Sequence, residues 1–359
     1  MLRSFTLKNF RCFQNLTLEP LERVNLIGGK NNVGKTSLLE AIFIFINPNS
    51  PEPSLQVNRI RSIAEINQIQ DEYIEGIKRL FFEQNIDSYI EMSGINENNE
   101  KSSLKLNLVD PIGFVFPILD EGDVTSKVNQ TLPAEVRPYD NLVLEYSQET
   151  GQERGSSLGW YTNGRLVKRS RHRKFPLGIY LTTSTSSPTE DAKRFSNLER
   201  VGRHNEVLEP LRLLEPRLQR LTLLVMDKEP IIYGDIGMSE LVPLPLMGEG
   251  IGRLLSIILA IANAKGGTIL IDEIENGLHY SVLTDVWKAI ADASRRADTQ
   301  IFATTHSLEC IKAAHEAFDS SEKYDFRYHR LERVNDEIRA VTYDQENLAI
   351  SDEMNLEMR

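Results

Sequence analysis

The chain has 359 residues, 40 % hydrophobic and 26 % charged, with 41 Lys and Arg against 52 Asp and Glu and a formal net charge of −11. This length supports one large or two moderate globular units, and the acidic balance argues against a surface coated for nucleic acid, though not against one local basic patch. Two cysteines, Cys12 and Cys310, are too few for a metal cluster or a disulfide framework; the N-terminus lacks a signal-peptide pattern and no run reaches the roughly 18 apolar residues of a membrane span, so the expected location is cytoplasmic.

In chain order, LRSFTLKNF, LTLEP and RVNLI alternate as strands, the last running into Gly28 and Gly29. KTSLLEAIFIFI then carries the apolar face of a helix, which the prolines of NPNSPEPS end. Residues from about 60 to 90 read as helical. From about 100 to 181 the chain is strand-rich, in SLKLNLV, GFVFPIL, NLVLEYS, GWYTNGRLV and LGIYLTT. TSTSSPTEDAK reads as a loop, and helical character occupies about 190–221, with breaks near Pro210 and Pro216.

LTLLVMDKEPIIYGDIGMSELVPLP reads as short strands with turns. From GEG onward the period is helical to Ala264, followed by the short buried strand of TILIDE, a helix through VLTDVWKAIADASRR and the strand of TQIFATTHS. DFRYHRLERVNDEIRAVTYD reads as a hairpin around NDE. The expected organisation is a nucleotide-binding core in two parts, 1–46 and 236–345, with inserted lobes over 47–235 and a tail over 346–359.

Three segments carry the chemistry. Gly29, Gly34, Lys35 and Thr36 fit G-x-x-x-x-G-K-[ST], between an apolar strand and an apolar-faced helix. In that setting successive backbone amides and the helix N-terminus point at phosphate. Lys35 is expected to reach the β- and γ-phosphates and Thr36 to ligate Mg²⁺, with Ser37 continuing the cradle. Asp272 and Glu273 stand at the carboxyl end of a buried strand, where α/β sheets bind ligands. Asp272 is expected in the Mg²⁺ shell, and Glu273 is placed to orient and deprotonate an attacking water. His306 follows the next apolar strand, 34 positions after Asp272. A lone histidine is weak evidence; its place beyond that strand makes it a candidate contact to the γ-phosphate or the water.

These residues together resemble the ATPase domain of the OLD (overcoming-lysogenisation-defect) family, related to the ABC-type ATPases of RecF, SMC and Rad50. The resemblance rests on Asn9-Phe10-Arg11, on the Gly29-x-Asn31-Asn32-x-Gly34-Lys35-Thr36 loop and on Met247-Gly248-Glu249-Gly250 before a helix reaching Arg253. It continues with Asp272-Glu273, with Glu275-Asn276-Gly277-Leu278-His279 and with Thr305-His306-Ser307. It implies an α/β fold: an ABC-type P-loop ATPase head, with a mixed sheet, flanking helices and inserted β-rich and helical lobes. It implies a homodimer in which ATP on one loop, with Mg²⁺, is closed by Met247, Gly248, Glu249, Gly250 and Asn276 of the other copy. By the same analogy Arg11 meets the α-phosphate, although a strand-end arginine in a wet turn is an equally ordinary reading.

The departures are Met247, where ABC signatures carry Ser, and Glu249, which brings negative charge toward a phosphate. The helix from 249 also reads as a plain core helix preceded by a glycine turn.

GRLVKRSRHRKF gathers Arg165, Lys168, Arg169, Arg171, Arg173 and Lys174 around His172. Such a segment suits a DNA backbone, an acidic partner protein or a solvated hairpin edge. The chain ends roughly 50 residues past His306 without an Asp-x-Asp pair. The resemblance therefore implies a stand-alone ATPase that regulates a separately encoded nuclease or toxin effector, commonly in anti-phage defence. A RecF-like DNA maintenance ATPase and a weakly hydrolysing nucleotide-gated scaffold are the alternatives.

Overall fold

The computed structural model describes residues 1–61, 75–109, 138–149, 154–161, 166–169, 175–183, 188–226 and 229–353. The GFVFPIL strand, part of the helical stretch expected over 60–90, and residues 354–359 of the tail lie outside them. So do Arg165, Arg171, His172, Arg173 and Lys174.

Strands β1 (Leu2–Phe10) and β2 (Phe13–Leu18) form an antiparallel pair, and β3 (Val24–Gly29), buried throughout, leads into the glycine loop. Helix α1 (Lys35–Ile46) buries nearly every residue. A helix that is apolar all round belongs inside a protein, and α1 lies between two sheets, touching β3 and three further strands of one sheet and a strand of the other. Helix α2 (Glu52–Ile60) starts at Pro51, with Pro53 in its first turn. The proline run expected only to end α1 thus also opens α2, since proline in a first turn costs no helix hydrogen bond.

Strands β4 (Ile90–Asn96), β5 (Lys101–Val109), β6 (Pro138–Gln148), β7 (Arg154–Tyr161) and β8 (Leu166–Arg169) continue the antiparallel sheet in the order β2-β1-β4-β5-β6-β7-β8. Strand β4 falls between the expected helical and strand-rich stretches; its alternating burial faces Met92 and Ile90 into the core beside α1. The backbone of Lys168 and Arg169 lies in β8, the terminal strand of this sheet among the described residues.

The second sheet has the order β16-β15-β3-β14-β13-β9, built from β9 (Gly178–Leu181), β13 (Thr268–Ile271), β14 (Gln300–Thr304), β15 (Phe326–Val334) and β16 (Glu337–Tyr343). All neighbours are parallel except the β15–β16 hairpin, which turns at Asn335 and Asp336 as expected. Strand β9 lies inside the stretch read as inserted lobes, yet its Leu181 pairs with Ile271 of the core sheet. The chain is therefore back in the core sheet by residue 178 rather than 236.

Helices α3 (Pro188–Arg200) and α4 (Asn205–Leu211) pack on α5 (Glu249–Asn263). Helix α3 opens inside the segment expected as a loop, with Pro188 at its start and Glu190 and Asp191 in the first turn. Helicity does not reach 221: α4 ends at Leu211, just past Pro210, and β10 (Arg220–Met226) begins a three-stranded antiparallel sheet with β11 (Glu229–Asp235) and β12 (Val242–Pro243).

Helices α5, α6 (Leu283–Ala297), α7 (Leu308–Asp319) and α8 (Gln345–Glu353) cover the outer face of the parallel sheet. Helix α7 is capped by Ser307, whose hydroxyl accepts from Cys310 N at 3.1 Å. No helix among the described residues is long and apolar enough to cross a membrane.

On the outer face Trp287 of α6, 1 % exposed, packs edge-on against Phe318 and Phe326, with ring centroids 6.4 and 6.3 Å away. Trp287→Ala is expected to destabilise the protein by about 3–5 kcal/mol, read from urea unfolding followed by circular dichroism.

Candidate functional site

The parallel register brings four strand ends to one edge. Gly28 and Gly29 end β3, Thr182 follows β9, Asp272 follows β13, and Thr304 ends β14 beside Ile27. The carboxyl edge of such a sheet is where ligands bind.

The loop from Gly29 to Thr36 is shaped by its neighbours. Gly34 has φ +98 in the left-handed region, and a Cβ there would lie 2.6 Å from Cys12 Sγ and 2.7 Å from Phe13 Cζ. The β1–β2 turn thus presses on the loop so closely that only glycine fits. Asn31 and Asn32 are exposed on its rim, beside a 450 Å³ cavity shared with Arg330 and Arg333.

Lys35, 5 % exposed, donates from Nζ to Gly29 O at 2.6 Å and to Lys30 O at 2.9 Å. The ammonium thus spans the loop from within. Burial pulls its pKa down to about 8, against the opposing pull of Asp272, Glu273 and Glu275.

Asp272 gathers the rest. Its Oδ1 accepts from Thr36 Oγ1 at 3.2 Å and from Thr304 Oγ1 at 2.6 Å. Thr304 Oγ1 in turn accepts the Glu273 N–H at 2.8 Å. The Glu273 backbone has φ +47, an uncommon conformation for a residue with a side chain and one that costs about 1–2 kcal/mol. That turn sends its carboxylate, 43 % exposed, toward His306, whose Nε2 lies 3.4 Å from Glu273 Oε1. The His306 backbone N–H donates to Glu275 Oε1 at 2.8 Å, so Glu275 faces the site of its own chain. Thr36 and Asp272 are hard oxygen donors set beside a phosphate cradle, a set that fits Mg²⁺, which binds few protein ligands and completes its shell with water and phosphate oxygens.

Behind the loop, sequence reasoning missed a buried ion cluster. Glu40, on α1 and 0 % exposed, lies 2.6 Å from Arg11 Nε and 2.6 Å from Arg61 Nε. Arg61 Nη2 also donates to Ser37 Oγ at 2.9 Å, and Arg11 Nη2 donates to Asn58 Oδ1 at 3.2 Å. Burial raises the Glu40 pKa, with Arg11 and Arg61 pulling it back. Arg11 therefore stands beside the loop with its charge committed to Glu40. It lines a 380 Å³ cleft with Gly34, Ser37, Arg61, Arg79 and Arg333. The one signal for this cluster was the single carboxylate inside the apolar run LLEAIFIFI.

The signature segment leads into α5. Gly248, φ +118, precedes α5 without a side-chain cap, leaving the first N–H groups of the helix open. A Cβ on Gly250 would lie 2.5 Å from Gly277 O, so the two backbones touch, and Glu249 packs on Gly277. Glu249 and Asn276 line a 340 Å³ cavity. Among the described residues, the 450 Å³ cavity at Asn31 and the 380 Å³ cleft at Gly34 include none of Met247 to Gly250.

Met247 is the residue that does not fit its expected part. Its N–H donates to Leu244 O at 3.0 Å and its sulfur packs on Gly234, where a Cβ would lie 2.9 Å away. A thioether packed inward and a spent backbone donor leave it nothing to give a phosphate.

The side chains of Lys168 and Arg169, like the residues around them, lie outside the described set. Among the supporting residues, Thr304 and Arg253 were also not singled out for a role by the sequence. Thr304 had one cue, a hydroxyl two positions before His306 at the end of an apolar strand.

The family model described as "AAA domain, putative AbiEii toxin, Type IV TA system" matches residues 24–311. An ATP/GTP phosphatase of Helicobacter pylori is 23 % identical over 329 residues, covering 87 % of this chain and 87 % of that protein. The DNA replication and repair protein RecF of Bacillus cereus is 22 % identical over 355 residues, covering 85 % of this chain and 92 % of its own length. The crystal structure of an SMC head bound to the C-winged helix domain of ScpA aligns over 99 % of both chains, at 14 % identity and a TM-score of 0.49.

Removing the centre of the buried cluster would strand two guanidinium groups next to the loop. Glu40→Ala is expected to cost about 3–5 kcal/mol of stability in urea unfolding, far more than loss of a surface ion pair.

Proposed function

The chain belongs to this AAA domain family, and on that premise we propose that it is an ATPase head of the ABC, RecF and SMC kind whose hydrolytic centre is completed by a second copy. The observation that carries the reading is the convergence of Thr36, Thr304 and the Glu273 backbone on Asp272, with Lys35 inside the loop and His306 at Glu273.

The Gly29–Ser37 loop and the α1 N-terminus receive the phosphates, with Asn31 and Asn32 on the rim and Arg11 toward the α-phosphate side. When phosphate enters, Lys35 exchanges its two carbonyl acceptors for the β- and γ-oxygens. Thr36 and Asp272 would hold a Mg²⁺ ion, which would supply positive charge against that developing on the transferred group. Glu273 orients a water and takes its proton as the water oxygen bonds to the γ-phosphorus and the bond to the leaving ADP oxygen breaks. His306 holds that water or the γ-phosphate in line.

Among the described residues, neither the cavity at Asn31 nor the cleft at Gly34 includes the signature of the same chain. That supports closure of the nucleotide by the open N–H groups at Gly248, Glu249 and Gly250, with Asn276, of a partner copy. Because Met247 supplies no donor and Glu249 is acidic, this closure is weak and turnover slow.

For the cellular role, the motif set resembles the OLD branch, and we read the chain as the cytoplasmic regulator of a separately encoded nuclease or toxin in anti-phage defence. A second reading, a DNA maintenance ATPase, is supported by the RecF relative that covers 85 % of this chain. Copurification of a second polypeptide from the native gene neighbourhood supports the first. DNA binding by the pure chain that weakens with salt, and that is lost on replacing the six basic residues of 165–174 with alanine, supports the second.

Glu273→Gln is expected to retain ATP, accumulate as a dimer and lose about 10²–10⁴-fold in kcat, while Lys35→Ala loses nucleotide binding. Phosphate release and equilibrium dialysis read the two effects. A Glu273→Gln protein turning over ATP like the parent would overturn the assignment.

A further inference from the structure

We propose that Arg253 is the positioning residue for the Glu273 carboxylate, so that the signature helix of each chain sets the hydrolytic geometry of its own site. This rests on the reading of Glu273 as the group that handles the attacking water.

Arg253 lies on the second turn of α5, three residues after Gly250 of the signature. Its Nη2 donates to Asp272 O at 2.6 Å and to Glu273 O at 3.3 Å, and its Nη1 donates to Thr182 O at 3.0 Å. One guanidinium therefore joins the signature helix to the carboxyl ends of β9 and β13. These carbonyls lie past the last paired residues of the two strands.

The carbonyl that Arg253 grips belongs to a residue needing support. Glu273 is held in the left-handed region, its N–H fixed by Thr304 Oγ1 at 2.8 Å and its carbonyl shared between Arg253 and the Asn276 N–H at 3.0 Å. The side chain is 43 % exposed, and His306 Nε2 lies 3.4 Å from its Oε1. The direction of the carboxylate is thus set by the backbone turn, and the turn is held on its carbonyl side by the signature helix.

A second contact runs the same way. Gly250, one turn earlier on α5, touches the Gly277 carbonyl in the loop that follows Glu273. A helix moves as a rigid body over such a short span. A phosphate pulling on the free N–H groups at 248–250 therefore moves Arg253 with them, and the carbonyl grip carries that displacement to Glu273. Occupation of a partner's nucleotide is in this way read by the acid of the chain that supplies the signature.

Lysine cannot reproduce the link, because an ammonium is a point donor without the planar fork that reaches Thr182 and Asp272 together. Arg253→Met keeps the packing of the side-chain stem and removes the donors. It is expected to lower kcat by about 10–100-fold, the scale of a small misplacement of a catalytic group, with ATP affinity within about 2-fold of the parent. Arg253→Lys is expected to fall between the two. Arg253→Met combined with Glu273→Gln should be no slower than Glu273→Gln alone, because both changes remove the same function.

The experiment measures single-turnover hydrolysis and ATP affinity for the parent, the three single variants and the double variant, with urea midpoints as the control for folding. If Arg253→Met unfolds, Arg253→Lys becomes the deciding variant, and a retained kcat there overturns the proposal. An Arg253→Met protein with parental kcat overturns it as well, as does a double variant whose losses multiply. If Glu273→Gln itself hydrolyses ATP like the parent, the underlying reading fails instead, and the two failures are told apart.

Discussion

The hydrogen bonds into Asp272 Oδ1 hold the site together. Thr36 reaches it from the start of the loop helix and Thr304 from the end of β14, while Asp272 itself ends β13. Three segments far apart in the chain are fixed to one oxygen. Because Thr304 also accepts the Glu273 N–H, the same hydroxyl that steadies Asp272 turns the next residue into its unusual backbone conformation. Parallel pairing makes this possible, since it aligns the carboxyl ends of neighbouring strands at one level.

Charge around the loop is arranged in two layers. On the phosphate side Lys35 is desolvated and drawn toward Asp272, Glu273 and Glu275, an excess of negative charge that suits a metal ion between protein and nucleotide. Along α1 from Thr36 the excess is positive, with Arg11 and Arg61 enclosing Glu40. Buried ion pairs contribute little net stability compared with apolar packing of equal volume, but breaking one is costly. The Glu40 cluster links the β1–β2 turn and the residue after α2 to the loop helix; its arginines reach the loop only through Ser37.

The antiparallel sheet and the parallel sheet share α1 as a common filling. Phe5, Leu7 and Met92 on one side and Leu270 and Phe302 on the other belong to the same apolar cluster as Leu38, Ile42 and Phe45 of the helix. The side chain of Gln300 adds a polar link, exchanging hydrogen bonds with the backbone of Leu2 at 2.9 and 2.8 Å. Thus the first strand of the chain is tied to the base of the strand that ends in Thr304. The antiparallel layer acts as a brace for the loop helix, and the residues it contributes beside the glycine loop, Arg11 and Cys12, come from its β1–β2 turn.

The loop, the acidic pair and His306 were legible in the sequence because each depends on local chemistry: glycines and a lysine before a helix, and polar groups at the end of an apolar strand. The terminal hairpin and the long helices were legible for the same reason, since hydrophobic period is a local property. What only the tertiary structure decided is pairing over long separations. Strand β9 reads like its neighbours in the inserted lobes, and only its hydrogen bonds to β13 place it in the core sheet. Glu40 looks like an ordinary helix carboxylate until Arg11 and Arg61 arrive from other elements, and Arg253 like a helix arginine until three carbonyls close on it. Met247 occupied a signature position in the sequence, yet packing against Gly234 turned its sulfur inward. Period and motif are written in neighbouring residues; the partners that satisfy a buried charge or an open carbonyl are chosen by the fold.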